Sequence, residues 1–405
     1  MTRRIWWQRP VLRTDEEDER ERRVTWLELF FDLLFVVVIA ELSHGLATHV
    51  TWDGVGTYIF LFLHVWWVWI GATYYNERFE TDGFENRFFT FLQMLPIAGM
   101  AVFAHYALGK TAVGFALSYA LARIIITSLW WRGGRYDRRF RPTSRYFVAG
   151  FSLSIGLFLL SVFVDPPVRF WLWSMGLIVD TLTPLLTLRS QAQLPPFSTS
   201  KLPERFGLFV LIALGESVVG TVQGLAAQEN LSLLTGITGI LGLLLAFGLW
   251  WIYFDFINRR PPKRGTGWTF AWGYLHLPLI AAIAAAGAGV LNVIADEDGM
   301  LGENVILLIG SSVGLALIAM GLLELTLAWS PNEPTHPRLS PALKFAAGAI
   351  ALLLGLWNND ISVIVLQLLL LFLVVVQMVY GLYVWFTQEL PDNPEETVSL
   401  MPEQE

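Results

Sequence analysis

The chain has 405 residues, 55% of them hydrophobic and only 15% charged, a balance that fits a polytopic membrane protein and excludes a small soluble core. The formal net charge of -7 comes with acids gathered at both tails, which excludes nucleic acid as a partner. There is no Cys, so a disulfide framework, a thiolate metal site and a cysteine nucleophile are all excluded.

Residues 1–23 end in a run of charge and lack the apolar stretch of a signal peptide, so they read as a cytoplasmic, partly disordered arm. Beyond them, apolar stretches near the length that crosses a ~30 Å hydrocarbon core recur along the chain. They fall at 24–44, 54–75, 88–108, 110–131, 146–164, 170–188, 204–225, 235–257, 268–294, 304–329, 341–357 and 361–387. The expectation is an all-α fold of about twelve spanning helices, because backbone amides in lipid must be satisfied within each segment. With the N-terminus inside, Lys110 and Arg169 are the basic residues of the outside loops and Arg123 is the one deep in a helix; the rest lie in inside segments. That bias predicts both termini cytoplasmic in a cell (inner) membrane.

Two halves of the sequence match in order. Trp69-Ile70 and Asn76 correspond to Trp251-Ile252 and Asn258, and Leu95-Pro96 corresponds to Leu277-Pro278 at the same offset. Ala149-Gly150 pairs with Ala347-Gly348, and Glu28-Leu29-Phe30 with Glu204-Arg205-Phe206. The expected organisation is a first six-helix repeat at 24–188, a cytoplasmic linker at 189–203, a second repeat at 204–387 and an acidic cytoplasmic tail at 388–405. Six helices between copies make the repeats parallel, with a shared interface perpendicular to the bilayer.

The chemistry rests on acids in apolar helices, which are costly in lipid and normally face a protein interior, a partner or a water path. Glu28 and Asp32 are i, i+4 and share a helix face. Glu41 shares a face with His44, toward the outer surface. Glu204 opens the second repeat and Glu216 follows about 18 Å along the same helix, near the membrane middle, with Gly215, Gly220 and Gly224 offering close helix approach. Arg123 should find a buried partner among Asp32, Asp180 and Glu216. Asp180 also lies one turn from Pro184, where a kink frees backbone carbonyls. At the inner ends of the second helices, Asn76, Arg78 and Asp82, and in the other half Asp255 and Asn258, form cytoplasmic polar clusters that suit loop caps and headgroup contacts. His64 and His276 stand singly in apolar surroundings and read as core residues. No metal site, cofactor motif or catalytic signature is present, so neither an enzyme nor a cofactor is expected.

TWLELFFDLLFVVVIAELSH, WIGATYYNERFETDG, DTLTP and ERFGLFVLIALGESVVG together resemble the bacterial low temperature requirement A (LtrA) family across most of the helical chain. That resemblance implies membrane residence and a growth phenotype in the cold. The pattern at Glu28, Phe30, Asp32 and Phe35 is also similar to the first-helix signature of the endosomal and lysosomal potassium channels built from six-helix repeats. The chain departs from it with Phe31-Asp32-Leu33 in place of Ser-Asp-Gly, and with Leu208 where the second repeat would carry the acid.

Three functions are consistent with these residues. The first is a channel or transporter for a small cation or proton, using the acids of the first helix of each repeat with Arg123 as counter-charge. The second is a non-transporting sensor or scaffold for cold or lipid adaptation, its acids serving as helix glue. The third is a membrane enzyme on a lipid substrate, which would need polar residues to converge at headgroup level. Membrane lipid is the expected partner in each case, and the sequence is compatible with a homo-oligomer.

Overall fold

The computed structural model describes residues 7–13, 23–79, 83–228, 232–295, 302–329, 335–357 and 362–387. Chain entry into the first helix is set by Thr25. Its hydroxyl accepts from the Glu28 amide while the Glu28 carboxylate accepts from the Thr25 amide, a capping box that satisfies two amides with no intrahelical partner. The helices in chain order are α1 (Trp26–Thr48), α2 (Trp52–Arg78), α3 (Phe84–Ala104), α4 (Ala112–Tyr136), α5 (Arg141–Ser161), α6 (Val168–Leu186), the single turn α7 (Leu188–Gln191), α8 (Lys201–Ala226), α9 (Leu233–Tyr253), α10 (Thr266–Ala295), α11 (Glu303–Leu325), α12 (Leu339–Leu356) and α13 (Val363–Thr387). Thr51 and Ser232 cap α2 and α9 in the same way as Thr25, through hydroxyls that accept from Gly54 and Thr235 amides. The end of α9 widens into a π-helical turn, Phe254–Asn258.

Among the described residues, eleven helices are long and apolar enough to cross a membrane. The chain is therefore an all-α, polytopic membrane protein. The twelfth expected span, 170–188, forms as the 19-residue α6 but is less apolar, because Arg169, Asp180 and several hydroxyl residues dilute it. Its faces are sorted for lipid all the same. Trp171, Met175, Ile178 and Leu182 form an exposed stripe, while Trp173, Gly176, Leu177, Asp180 and Thr183 point inward. The polar residues of α6 thus lie on its buried side, the reverse of a helix facing water.

α10 lies at the centre, packed on α8, α9 and α11 and also on α1 and α2. α1 contacts α2, α3, α8 and α10, so the seam between the first and second halves of the chain runs along α1, α8 and α10. The closest backbone crossing is between α11 and α12. A Cβ on Gly310 would meet the Gly355 Cα at 2.5 Å, and one on Gly314 would meet the Gly348 carbonyl oxygen at 2.8 Å, so only glycine permits that approach.

Residues 7–13 of the arm are packed rather than free, which the sequence did not anticipate. Leu12 bridges to Phe79, Arg13 pairs with Glu77 and donates to the Pro196 carbonyl, and Arg132 of α4 donates to the Gln8 carbonyl. These contacts tie the arm, the inner end of α2 and the 189–203 linker together at one end of the bundle.

Candidate functional site

The helix N-terminus of α1 aims Glu28 and Asp32 into the seam, one turn apart on a single face as their i, i+4 spacing requires. The opposite wall comes from the first two turns of α8, which supply Lys201 and Arg205. Glu28 keeps one carboxylate oxygen for its cap and offers the other to Lys201 Nζ and Arg205 Nη1, both at 3.2 Å. The second arm of the same guanidinium reaches Asp32 Oδ1 at 3.3 Å, and that oxygen also accepts from Trp69 Nε1 of α2 at 2.9 Å. All four charged groups are buried, with Asp32 only 1% exposed. Two acids and two bases buried together form a balanced set, which is what burial of charge requires.

The walls around Asp32 are aromatic. Trp69 stacks on Phe209 at 4.1 Å between ring centroids, Phe35 meets Phe209 edge-on at 6.0 Å, and Phe31 and Trp66 complete the ring. Asp32 Oδ2 is buried in this box with no hydrogen-bond partner among the described residues. Leaving a carboxylate oxygen unpaired in such surroundings is unfavourable, so this atom marks a place where a proton, water or cation would be accepted.

Glu204 bonds across the seam at the start of α1 rather than to Asp32. It accepts from the Val24 amide at 3.0 Å and so pins the chain just before α1. Toward the other end of α1 and α8, Glu41 and Glu216 are both half-buried and near enough to repel one another, while His44 is exposed. Phe35, Val38, Ile39 and Leu42, all buried, fill the length of α1 between Asp32 and this acid pair. The small residues expected beside Glu216 do admit a neighbour, although not at every position. A Cβ on Gly224 would touch Leu291 and Ile294 of α10 at 3.1 Å, and Gly287 of α10 fits against Ser217, whereas Gly215 meets nothing.

Arg123 finds its partner in Asp180, the middle of the three expected acids. Nη2 donates to Asp180 Oδ1 at 2.8 Å, Tyr119 Oη donates to Oδ2 at 2.5 Å, and the guanidinium lies 4.3 Å over the Phe151 ring. This knot joins α4, α5 and α6, whereas Asp32 takes its bonds from Arg205 and Trp69, so Arg123 is not the counter-charge to Asp32. Arg205 is, and it was hidden because its sequence counterpart in the first half is Leu29. His64 and His276 are both core residues, as expected. His276 bonds through both ring nitrogens, to the Trp272 carbonyl and the Tyr253 hydroxyl, while His64 bonds to the Phe60 carbonyl inside a cage of rings.

The cytoplasmic polar residues separate into different environments. Arg78 turns inward, donating to the Pro195 carbonyl and lying over Phe197, and Asn76 is half-buried beside it on α2. Asp255 pairs with Arg259 at 2.9 Å on a partly exposed face, and Asn258 packs on Gly207. Asp82 lies outside the described residues. A further charged knot escaped the sequence reading altogether: Glu324 of α11 accepts from Arg260, Lys344 and Ser340, each at 2.9 Å, fully inside the second half. The signal was available, since Lys344 is the single charge of α12 and Glu324 follows a long uncharged stretch of α11, and such residues need partners. Among the described residues no group of three or more His, Asp or Glu could hold a metal ion.

An all-α bundle of spanning helices, with charges neutralised in pairs and knots inside it, defines a polytopic integral membrane protein rather than a soluble or peripheral one. Within that class, the chain belongs to the family described as bacterial low temperature requirement A protein (LtrA), which it matches over residues 23–386. It is also similar to an uncharacterized protein, RA0937, of Rhizobium meliloti (strain 1021), at 27% identity over 298 residues that cover 68% of this chain and 70% of the relative.

Proposed function

We propose that the chain is a channel or transporter for a small cation or proton in a cell (inner) membrane, with both termini cytoplasmic, in which Asp32 exchanges its bond to Arg205 for the transported ion. The observation that carries this reading is the unpartnered Oδ2 of Asp32, sealed beside a shared guanidinium in the seam between the halves. When Asp32 releases Arg205, the guanidinium still has Glu28 at 3.2 Å, so the exchange does not strand it. Access from the far side runs past Glu216 and Glu41, and requires α1 and α8 to part where Phe35, Val38, Ile39 and Leu42 now close the way.

Two parallel six-helix units, 24–188 and 204–387, fit this mechanism, because they place a first helix on each side of the path. Supporting them, the helix pairings recur in order: α1 with α3 as α8 with α10, α3 with α4 as α10 with α11, α4 with α5 as α11 with α12, α5 with α6 as α12 with α13, and α2 with α6 as α9 with α13. Pro96 and Pro278 also sit inside the corresponding helices α3 and α10. In both halves the charge is internal but differently placed, so the path would be lopsided: Leu208 stands where the first half has Asp32.

The tight aromatic stacking on Asp32 favours a second reading, a non-transporting scaffold or sensor in which the same ion pairs only lock helices together. One experiment separates the two. Purified protein in liposomes should carry a proton or monovalent cation flux that is lost in Asp32→Asn and reduced in Glu216→Gln. Silence toward every ion tested, or unchanged flux in Asp32→Asn, gives the scaffold reading instead.

A further inference from the structure

α4 and α5 meet along an open groove of about 400 Å³, at the end of the bundle where Arg132 of α4 holds the N-terminal arm. Its floor is the close contact of Gly134 with Ser144, where a Cβ on the glycine would overlap the serine side chain, and the Ser144 hydroxyl donates to the Trp130 carbonyl at 2.9 Å. Trp131 and Arg135, one turn apart on α4, form one wall. On α5, Arg141, Arg145, Ala149 and Ser152 follow one another along a single helix face and form the other. Trp131, Arg135, Arg145, Ala149 and Ser152 are all exposed, so both walls face the surroundings of the bundle and not its core.

Charge and apolar surface are sorted along this groove. The three arginines lie at the helix ends, in the last turn of α4 and the first two turns of α5, whereas Val148, Ala149 and Ser152 lie deeper in the span, the last of them roughly 16 Å from Arg141 along the axis. No acid lines the groove, and among the described residues none of the three arginines has an ion pair. Arg141 Nε donates to the Gly134 carbonyl at 3.4 Å, and Asp137, the acid of the connecting turn, is taken by the Arg139 amide and guanidinium. Two other grooves, of about 330 and 300 Å³ at the end of α9, differ on this point: each sets Arg259 beside an acid, Glu204 in one and Asp255 in the other. Arginines scattered over an inner loop are expected from the positive-inside bias alone, and Arg138 and Arg139 are of that kind. Arg135, Arg141 and Arg145 converge on one concavity instead.

The geometry points to a binding site for one anionic phospholipid, its phosphodiester held by Arg135, Arg141 and Arg145 and one acyl chain lying along Val148, Ala149 and Ser152. Guanidinium groups suit phosphate oxygens because their donors form a planar fork, and Trp131 is of the residue type that settles at headgroup level. Three cations without an acid favour a lipid of net negative charge over a zwitterionic one, which brings its own ammonium next to the phosphate. Nothing in this assignment depends on transport at Asp32.

Full-length protein in a neutral detergent would be titrated with phosphatidylglycerol or phosphatidylcholine, and bound lipid counted by native mass spectrometry. One phosphatidylglycerol per chain should bind saturably, at least about tenfold more tightly than phosphatidylcholine. Arg135→Gln/Arg145→Gln, two exposed positions whose loss leaves the packing intact, should weaken that binding roughly 30-fold. Arg138→Gln/Arg139→Gln removes the same charge from the same end of the bundle but outside the groove, and should stay near the wild type. Ala149→Trp fills the groove without changing charge and should also weaken binding. Equal affinity for the two lipids overturns the proposal. So does an equal loss in the two arginine pairs, which is a general surface-charge effect, unchanged binding in Ala149→Trp, or displacement of the lipid by free glycerol phosphate, which makes the groove a soluble-phosphate site. None of these variants touches the seam, so failure here leaves the reading of Asp32 standing.

Discussion

Replacing Arg205 by methionine removes the cation that Glu28 and Asp32 share while keeping an apolar chain of similar length. Each of its contacts, at 3.2 and 3.3 Å, carries Coulomb attraction of about 5 kcal/mol at an effective dielectric of ~20. Glu28 would keep Lys201 and its cap, but Asp32 would keep only the Trp69 N–H. The dominant cost is then one uncompensated carboxylate in an aromatic box, and breaking a buried pair from one side costs about 3–5 kcal/mol. Adding Asp32→Asn to the same chain removes that stranded charge, while the amide oxygen can still accept from Trp69. Reversible unfolding in nanodiscs of the wild type, Arg205→Met, Asp32→Asn and the double variant should show the double variant less destabilised than the sum of the singles by roughly 2 kcal/mol. Additive losses, within about 0.5 kcal/mol, would mean that the pair is not coupled and would refute the seam as an ionic unit.

Three other outcomes follow from the same physics. Glu324→Gln leaves Arg260 and Lys344 facing one another without a counter-charge and should cost about 3–5 kcal/mol in the same unfolding measurement, whereas Ser340→Ala, which removes one donor to the carboxylate, should cost no more than about 1.5–3. Tyr119→Phe deletes the hydroxyl on Asp180 Oδ2 and should cost about 1.5–3 kcal/mol, with the Arg123 pair surviving; a neutral result would show that the hydroxyl is not bonded there. Gly314→Ala places a methyl against the Gly348 backbone, which cannot move aside as a side chain can, and should cost about 1–3 kcal/mol or force α11 and α12 apart, visible as slowed cross-linking between cysteines placed on the two helices.

Membrane residence, all-helical architecture and nearly every span were legible from the sequence because lipid imposes a strong local rule. A segment must be long, apolar and internally hydrogen-bonded, and each of those properties is written in consecutive residues. Even the exception, α6, was found as a helix; only its marginal apolarity sets it apart from the other eleven. The shared face of Glu28 and Asp32 was likewise fixed by spacing alone. What spacing could not supply was the partner across a helix interface. Arg205 lies 173 residues beyond Asp32, and nothing local distinguishes it from a basic residue at the lipid headgroups. Arg123 shows the same limit: three acids were open to it, and only the docking of α4 and α6 on α5 and α2 selected Asp180. Burial turns charge into a demand for a specific neighbour, and that neighbour is chosen by how helices distant in the chain are docked.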